Sequence, residues 1–339
     1  MSSRVIIAAT DDNYILPFLV MLYSAKISTS QDFYVVIGYI EEDLSKENRE
    51  LISSVLNVLN IDFEFRNVQL DDVPTSSHYI TRTSWIRLSL MDTVAGVVLW
   101  LDADLICLPG WDKLFDFSII NEKKSLAAGV IDPLVTHPNW QRNSTNRAIV
   151  EMGDDYINTG VLQINCDLWS ELEMPKIWRE TVGNYYDLGF QIVDQCVLNF
   201  LFKDSYALLP SMFNFLASVP QKELSKEVYV MHFAGPTKPW HYSVFSLRSF
   251  VSPLKRKDVA LYRRIQGELI QEVEKFGNNN SVILSKVSIK MTEGRGFLSL
   301  IKHRIFARPF LYPYLRKLSW LRKLLTGLFL KTFKGSKNI

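Results

Sequence analysis

Cysteine is scarce in this chain. Cys107, Cys166 and Cys196 are the three present in 339 residues. Their odd number and lack of metal-type spacing exclude a disulfide framework and a thiolate metal site, and fit reduced, packed thiols in a cytosolic protein. No uncharged apolar run approaches the roughly 18 residues that a membrane-spanning helix needs, and the first ten residues read as a short strand rather than as a secretory leader. Internal repeats and low-complexity segments are missing as well, which excludes a repeat architecture. What remains, with 47% hydrophobic and 22% charged residues, is ample for a large core in one big or two modest domains.

Acidic side chains are absent from residues 294–339, although the whole chain holds 36 Asp and Glu. That segment carries eleven Lys or Arg and eight aromatics, among them Phe306, Tyr312 and Trp320, and it leaves residues 1–293 with a net charge of −9. The chain therefore reads as an acidic body with a basic tail. Pro309 and Pro313 divide the tail, and beyond them Leu315, Leu318, Leu321, Leu325 and Leu328 recur at three- and four-residue intervals, as in an amphipathic helix. Leucine and aromatic richness beside positive charge points to an anionic membrane surface rather than to nucleic acid. The alternative is an apolar face packed on the body with its charges merely solvated. The expected organisation is a main domain over 1–250, a helical region over 251–293 and the tail over 294–339.

Residues 4–9 and 33–40 have the composition of strands, with helical patterns over 16–27 and 45–59, so the first hundred residues read as a β-α-β-α-β, nucleotide-type half. Residues 81–93 have helical spacing and lead into 97–101, a continuous Val-Val-Leu-Trp-Leu run suited to a strand covered on both faces. Two carboxylates, Asp102 and Asp104, follow at once. Ligands of α/β sheets gather beyond the carboxyl ends of their strands, and carboxylate oxygen suits Mg²⁺ or Mn²⁺ against a phosphate-bearing substrate. Residues 132–153, polar and broken by Pro133 and Pro138, read as a loop over a site.

Four further motifs join this pair. Asp11-Asp12-Asn13-Tyr14 follows the first strand; Tyr-Ile-Asn-Thr-Gly-Val-Leu-Gln-Ile-Asn occupies 156–165; Asp194-Gln195 opens Asp-Gln-Cys-Val-Leu-Asn; His-Phe-Ala-Gly-Pro-Thr-Lys-Pro-Trp-His spans 232–241. In this order, over about residues 4–245, the chain resembles glycosyltransferase family 8, in particular the branch that builds bacterial lipopolysaccharide outer core. The resemblance implies an α/β GT-A fold, a mixed sheet with a Rossmann-like N-terminal nucleotide-binding half, here followed by a helical C-terminal extension. It also implies a UDP-glucose or UDP-galactose donor, Mn²⁺ (with Mg²⁺ the alternative), and transfer with retention to an oligosaccharide or lipopolysaccharide core acceptor.

By that resemblance Asp102, Asp104 and His232 are the metal ligands. Ala8, Asp11 and Asn13 hold the uracil and ribose edge, Arg87, Ala103, Asn158 and Gly235 line the donor, and Lys238 faces the leaving phosphate. Asp194 and Gln195 are the catalytic pair, at positions that bind donor hydroxyls or lie beneath the anomeric carbon, with Asp194 either a nucleophile or a hydroxyl acceptor, and Asp132 is an acceptor-side carboxylate. The family often has a second acid after the Asp-Gln pair, where this chain has Cys196. Glycosyl transfer to a protein or another glycan, including self-glucosylation, is the alternative within the family; an aspartyl-nucleophile phosphatase is the alternative outside it. The expected location is cytoplasmic, peripheral on the inner face of the cytoplasmic membrane.

Overall fold

The computed structural model describes residues 4–70, 73–74, 82–133, 151–190, 192–217, 227–235, 238–241, 254–276 and 280–293. The basic tail and most of the expected loop over 132–153 lie outside the described residues. Residues 1–290 form one compact unit and 291–339 a second.

The N-terminal half follows directly from hydrophobic pattern. β1 (Val5–Ala9) is almost wholly apolar and leads into α1 (Ile15–Ile27), whose residues 15–25 are all buried. A helix apolar on every side can only be central. β2 (Tyr34–Tyr39) follows, then α2 (Lys46–Val58), an amphipathic helix that buries Leu51, Ile52, Val55 and Leu56 along one stripe. Asp12, just past β1, caps α2 from outside. Its Oδ1 accepts from Ser45 N (2.8 Å), Ser45 Oγ (3.1 Å) and Asn48 Nδ2 (2.8 Å), placing negative charge at the helix's positive end. β3 (Asp62–Asn67) has no counterpart in the sequence reading. Its Asp-Phe-Glu-Phe-Arg-Asn alternates charge with aromatics, a pattern fit for a sheet edge with one face wet.

A 3₁₀ turn (Arg82–Trp85) runs into α3 (Ile86–Met91), then β4 (Val97–Leu101) and β5 (Leu105–Cys107). Next come α4 (Ser118–Lys123), β6 (Ala127–Ile131), β7 (Ile157–Asn165), α5 (Cys166–Glu171), α6 (Met174–Gly183) and α7 (Val193–Phe202). The short strands β8 (Tyr206–Leu208), β9 (Phe215–Leu216) and β10 (Val230–His232) precede α8 (Arg256–Lys275) and α9 (Asn280–Glu293).

Among the described residues the strands make a seven-stranded sheet ordered β3-β2-β1-β4-β7-β6-β8 and a three-stranded sheet ordered β5-β10-β9. β3 to β4 run parallel, the nucleotide-type half; β7 is antiparallel to both neighbours, β4 and β6. The sheet is thus mixed, as the resemblance implies. β4 is its middle strand, with Val98 to Leu101 buried, so Asp102 leaves the centre of the sheet at its carboxyl edge. All three cysteines are free and buried.

Leu99, fully buried in β4 and paired with Ile6 of β1, tests this reading of the core. Leu99→Ala removes packing that the flanking sheet cannot refill, and should cost about 2–5 kcal/mol in urea unfolding. A loss below 1 kcal/mol would mean that β4 is not the packed centre.

Candidate active site

The carboxyl end of β4 and the small sheet together build a cluster of three ionisable groups. β5 leaves the turn after Asp104 and pairs antiparallel with β10, which sets His232 opposite Leu105, while Phe233 N donates to Asp104 O at 3.0 Å. His232 Nε2 consequently lies 3.2 Å from Asp104 Oδ1 and 3.9 Å from Asp102 Oδ2. One ligand atom from each of Asp102, Asp104 and His232 falls within 4.8 Å of the others. Each residue's other polar atom is committed elsewhere. Asp102 Oδ1 accepts from Arg87 (2.8 Å) and Trp100 Nε1 (2.7 Å), Asp104 Oδ2 bonds Lys238, and His232 Nδ1 faces Asn214 Oδ1 at 2.9 Å. Two carboxylate oxygens and one imidazole nitrogen turned toward a common point suit a hard to borderline divalent cation, with coordination positions left over.

Lys238 is no surface charge. Buried, it bonds Asp104 and donates to Phe233 O at 2.9 Å. Burial opposes ionisation of Asp104, yet the Lys238 ammonium and the His232 imidazole against it together more than offset this and hold the carboxyl well below the usual carboxylate range. Gly235, at φ +87°, makes the turn after Phe233 that leads toward Lys238. Tyr14, on the loop after β1, meets Trp240 edge to face at 5.6 Å.

Arg87 on α3 lies beneath the cluster. Its NH1 donates to Thr159 O (2.6 Å), NH2 to Asp102 Oδ1 and Nε to Ser84 O (3.2 Å); Nε is also 3.0 Å from Asp194 Oδ2, and the guanidinium stacks over Trp100 at 4.5 Å. It thereby bridges Asp102 and Asp194. Burial pushes the Asp194 carboxyl above its ordinary range against the pull of Arg87, with Asp102 adding to the rise. Val193, immediately before it, holds φ at +25°, a conformation that a β-branched residue adopts only under constraint.

A second group of amides and a carboxylate adjoins. Asp132, just past β6, accepts at Oδ2 from Asn158 Nδ2 (3.0 Å) and Gln195 Nε2 (3.1 Å); Gln195 Oε1 accepts from Thr159 N (3.3 Å). Asn199, one turn beyond Gln195, clasps the backbone of Ile157 through both amide atoms at 2.8 Å and so docks α7 on β7. Cys196 points the other way, into the core, where Tyr156 OH and Ile192 N donate to its sulfur. On the nucleoside side, Ala8 is fully buried within β1, Asn13 is exposed, and Ala103 is half-buried between the two carboxylates. Asp11 accepts from Asn13 N (2.9 Å) and from Thr83 Oγ1 (3.0 Å), on the turn that carries Arg87.

Three contributors escaped the sequence reading. Trp100 was legible, since in a strand it shares a face with Asp102 two positions on. Gly160 and Asn214 carry no local signal, because their roles depend on which strand lies beside them. A Cβ on Gly160 would lie 2.2 Å from His232 Cε1, 2.7 Å from its Nδ1 and 3.1 Å from Asp102 Oδ2. Only glycine lets these two groups approach across β7.

Residues 5–244 match the profile of glycosyl transferase family 8. A putative glycosyltransferase of Haemophilus influenzae is 22% identical over 74% of this chain and 77% of its own length. The lipopolysaccharide glucosyltransferase WaaO of Escherichia coli is 26% identical over 51% of this chain, which spans about half (53%) of that relative's length. Among solved structures, a galactosyltransferase, LgtC, in complex with donor and acceptor sugar analogs superposes with a TM-score of 0.62 at 25% identity, over 78% of this chain and 95% of that one. The architecture is therefore GT-A.

Gly160→Ala should displace the His232 imidazole and weaken binding of a divalent cation, with Mn²⁺ as the probe, about tenfold or more, as loss of ligand geometry does, with the far-ultraviolet circular dichroism unchanged. Calorimetric titration would show it; unaltered affinity would mean that His232 does not share the cation with Asp102.

Proposed function

Because the chain belongs to glycosyl transferase family 8, we propose that it is a retaining hexosyltransferase that moves glucose or galactose from a UDP-sugar to a saccharide acceptor of the lipopolysaccharide core class. Family membership leaves no room for the phosphatase alternative. The observation that carries this reading is the convergence of Asp102, Asp104 and His232 at the carboxyl end of the middle strand, beside a buried lysine and a buried arginine.

Those three residues would hold a divalent cation, Mn²⁺ in preference to Mg²⁺ because of the imidazole. Bound there, the cation would neutralise the departing diphosphate. Lys238 supplies a second positive charge on a flexible stem, able to pass from Asp104 to a phosphate oxygen. Arg87 holds Asp102 and Asp194 at a fixed separation beneath the sugar. Asp194 accepts hexose hydroxyls, and Asp132, oriented by Asn158 and Gln195, receives the acceptor. In this reading the acceptor hydroxyl oxygen attacks the anomeric carbon on the face from which UDP leaves. The bond from that carbon to the phosphate oxygen breaks, and the hydroxyl proton passes to the phosphate. The Asp194 carboxylate, ion-paired with a guanidinium 3.0 Å away, is a poor covalent nucleophile, and Gln195 is a poorer one.

The basic segment 294–339 completes the proposal. A body of net charge −9 is repelled by an anionic leaflet, and eleven Lys or Arg oppose that repulsion at on the order of 1 kcal/mol each near the surface. The Leu and aromatic positions add burial at the headgroup boundary. The protein would then act at the cytoplasmic face of the inner membrane, attached peripherally.

Incubation with UDP-glucose or UDP-galactose and Mn²⁺, with and without truncated lipopolysaccharide, tests the activity: product requires both donor and acceptor. Labelling of the protein itself without acceptor would favour self-glucosylation instead. Asp104→Ala and His232→Ala should each lower transfer by on the order of 10²-fold or more while remaining folded, and Asp194→Ala should lower turnover with little change in UDP affinity. Undiminished transfer by Asp104→Ala at limiting Mn²⁺ would overturn the cation role.

A chain ending at Glu293 should still act on a soluble oligosaccharide, yet no longer float with anionic liposomes. Equal flotation of the truncated and full chains at one ionic strength would refute membrane attachment by the tail.

A further inference from the structure

We propose that Asn214 is a positioning residue that, by its bond to Nδ1, dictates that His232 presents Nε2 to the cation, and that links the imidazole to the acceptor-side carboxylate Asp132. The inference rests on the reading of Asp102, Asp104 and His232 as a cation site.

The argument is one of donors and acceptors. Asn214 is buried between a 3₁₀ turn (Ser211–Phe213) and β9, and β9 pairs with β10 so that Leu216 sits beside His232. Its Oδ1 and Nδ2 face different partners: His232 Nδ1 at 2.9 Å and Asn158 Oδ1 at 2.8 Å. An amide can be turned over, so its orientation must be anchored by groups that cannot. Two such anchors exist. Gly160 N–H, a backbone donor, points at one end of the Asn158 amide (3.0 Å), and the Asp132 carboxylate, an acceptor, lies at the other (3.0 Å). Asn158 must therefore turn its oxygen toward Gly160 and its NH₂ toward Asp132. That oxygen can only accept, so Asn214 must donate to it through Nδ2, which leaves Asn214 Oδ1 facing the imidazole. His232 Nδ1 then carries a hydrogen, and Nε2, 3.2 Å from Asp104 Oδ1, is the nitrogen left to bind a cation.

The hydrogen-bonded series runs from His232 through Asn214 and Asn158 to Asp132, which Gln195 also grips. Asn214 is thus the buried amide that joins the imidazole to Asn158 by hydrogen bonds.

The test compares Asn214→Leu, of similar volume without either bond, with Asn214→Asp, which keeps an acceptor for Nδ1–H but cannot donate to Asn158. Mn²⁺ affinity of the free enzyme would be measured by electron paramagnetic resonance, with Asp104→Ala as the binding-defective control. Loss of such an outer partner typically costs 10–100-fold in metal affinity. Asn214→Leu should show a loss of about that size, and Asn214→Asp should restore the affinity while still raising KM for the sugar substrates. Nitrogen-15 resonances of His232, assigned with His232→Ala, should report a protonated Nδ1 in the native chain and an unprotonated one in Asn214→Leu. Native affinity in Asn214→Leu, with binding lost in Asp104→Ala, would overturn the role of Asn214 alone. Absence of Mn²⁺ binding by the native protein would overturn the cation reading along with it.

Discussion

Arg87 sits under the site with its guanidinium shared between Asp102 and Asp194, and the arrangement above it depends on that sharing. Asp194 is buried and Asp102 half-buried, and carboxylates so placed repel one another and resist desolvation. A permanently charged, planar fork offsets both effects while holding them at a set spacing. Lysine could not substitute: it lacks the separate N–H directions that reach Asp102, Thr159 O and Ser84 O together. Stacking on Trp100, which itself donates to Asp102, fixes the plane of the fork. The ion pairs that fix the packing around Arg87 are thus the same ones that fix the candidate site.

Strand β7 explains how the cation cluster and the amide group come to share a wall. It runs antiparallel to β4 with Leu101 opposite Val161, so Asp102 N donates to Gly160 O at 2.9 Å. On its other edge the pairing with β6 jumps between Gly129 and Val130, from Leu162 to Asn158. Residues 159–161 are the unpaired excess on that side, a bulge that re-aims side chains beside the site. Asn158 reaches Asp132, Thr159 offers its N–H to Gln195 and its carbonyl to Arg87, and Gly160 makes room for His232. Three consecutive residues serve four side chains because the strand is irregular there.

Burial also redefines residues that look ordinary in sequence. Lys238 is a buried partner of Asp104, held between a carboxylate and a carbonyl. Cys196, where the family often has an acid, lies on the core side of α7 with its sulfur accepting from Tyr156. An acid there would need a charge partner in the core, so the sulfur belongs to packing, and Asp194 and Gln195, the two residues before it, face the site without it. α8 adds Arg263, whose NH2 donates to Trp240 O at 2.7 Å, and Tyr262, which packs on Trp240 and Phe233. The loop bearing Lys238 is steadied in this way by a helix far downstream.

What the sequence determined by itself are features set by neighbours along the chain. The apolar run 97–101 dictated a covered strand, the carboxylates after it dictated chemistry at the sheet's edge, and the patterns over 16–27 and 45–59 dictated helices that begin and end within a residue or two of α1 and α2. The motif order from Asp11 to His241 carried the family. Tertiary structure alone decided the rest: that β7 enters antiparallel, that edge strand β3 completes the sheet, that Gly160 must lack a side chain, that Arg87 bridges two carboxylates, and that Asn214 faces His232. Each of these is a relation between segments far apart in sequence, made by strand register and burial. Local propensity cannot encode which atom meets which across a sheet, because shifting the register by one residue leaves composition unchanged and turns every side chain to the other face.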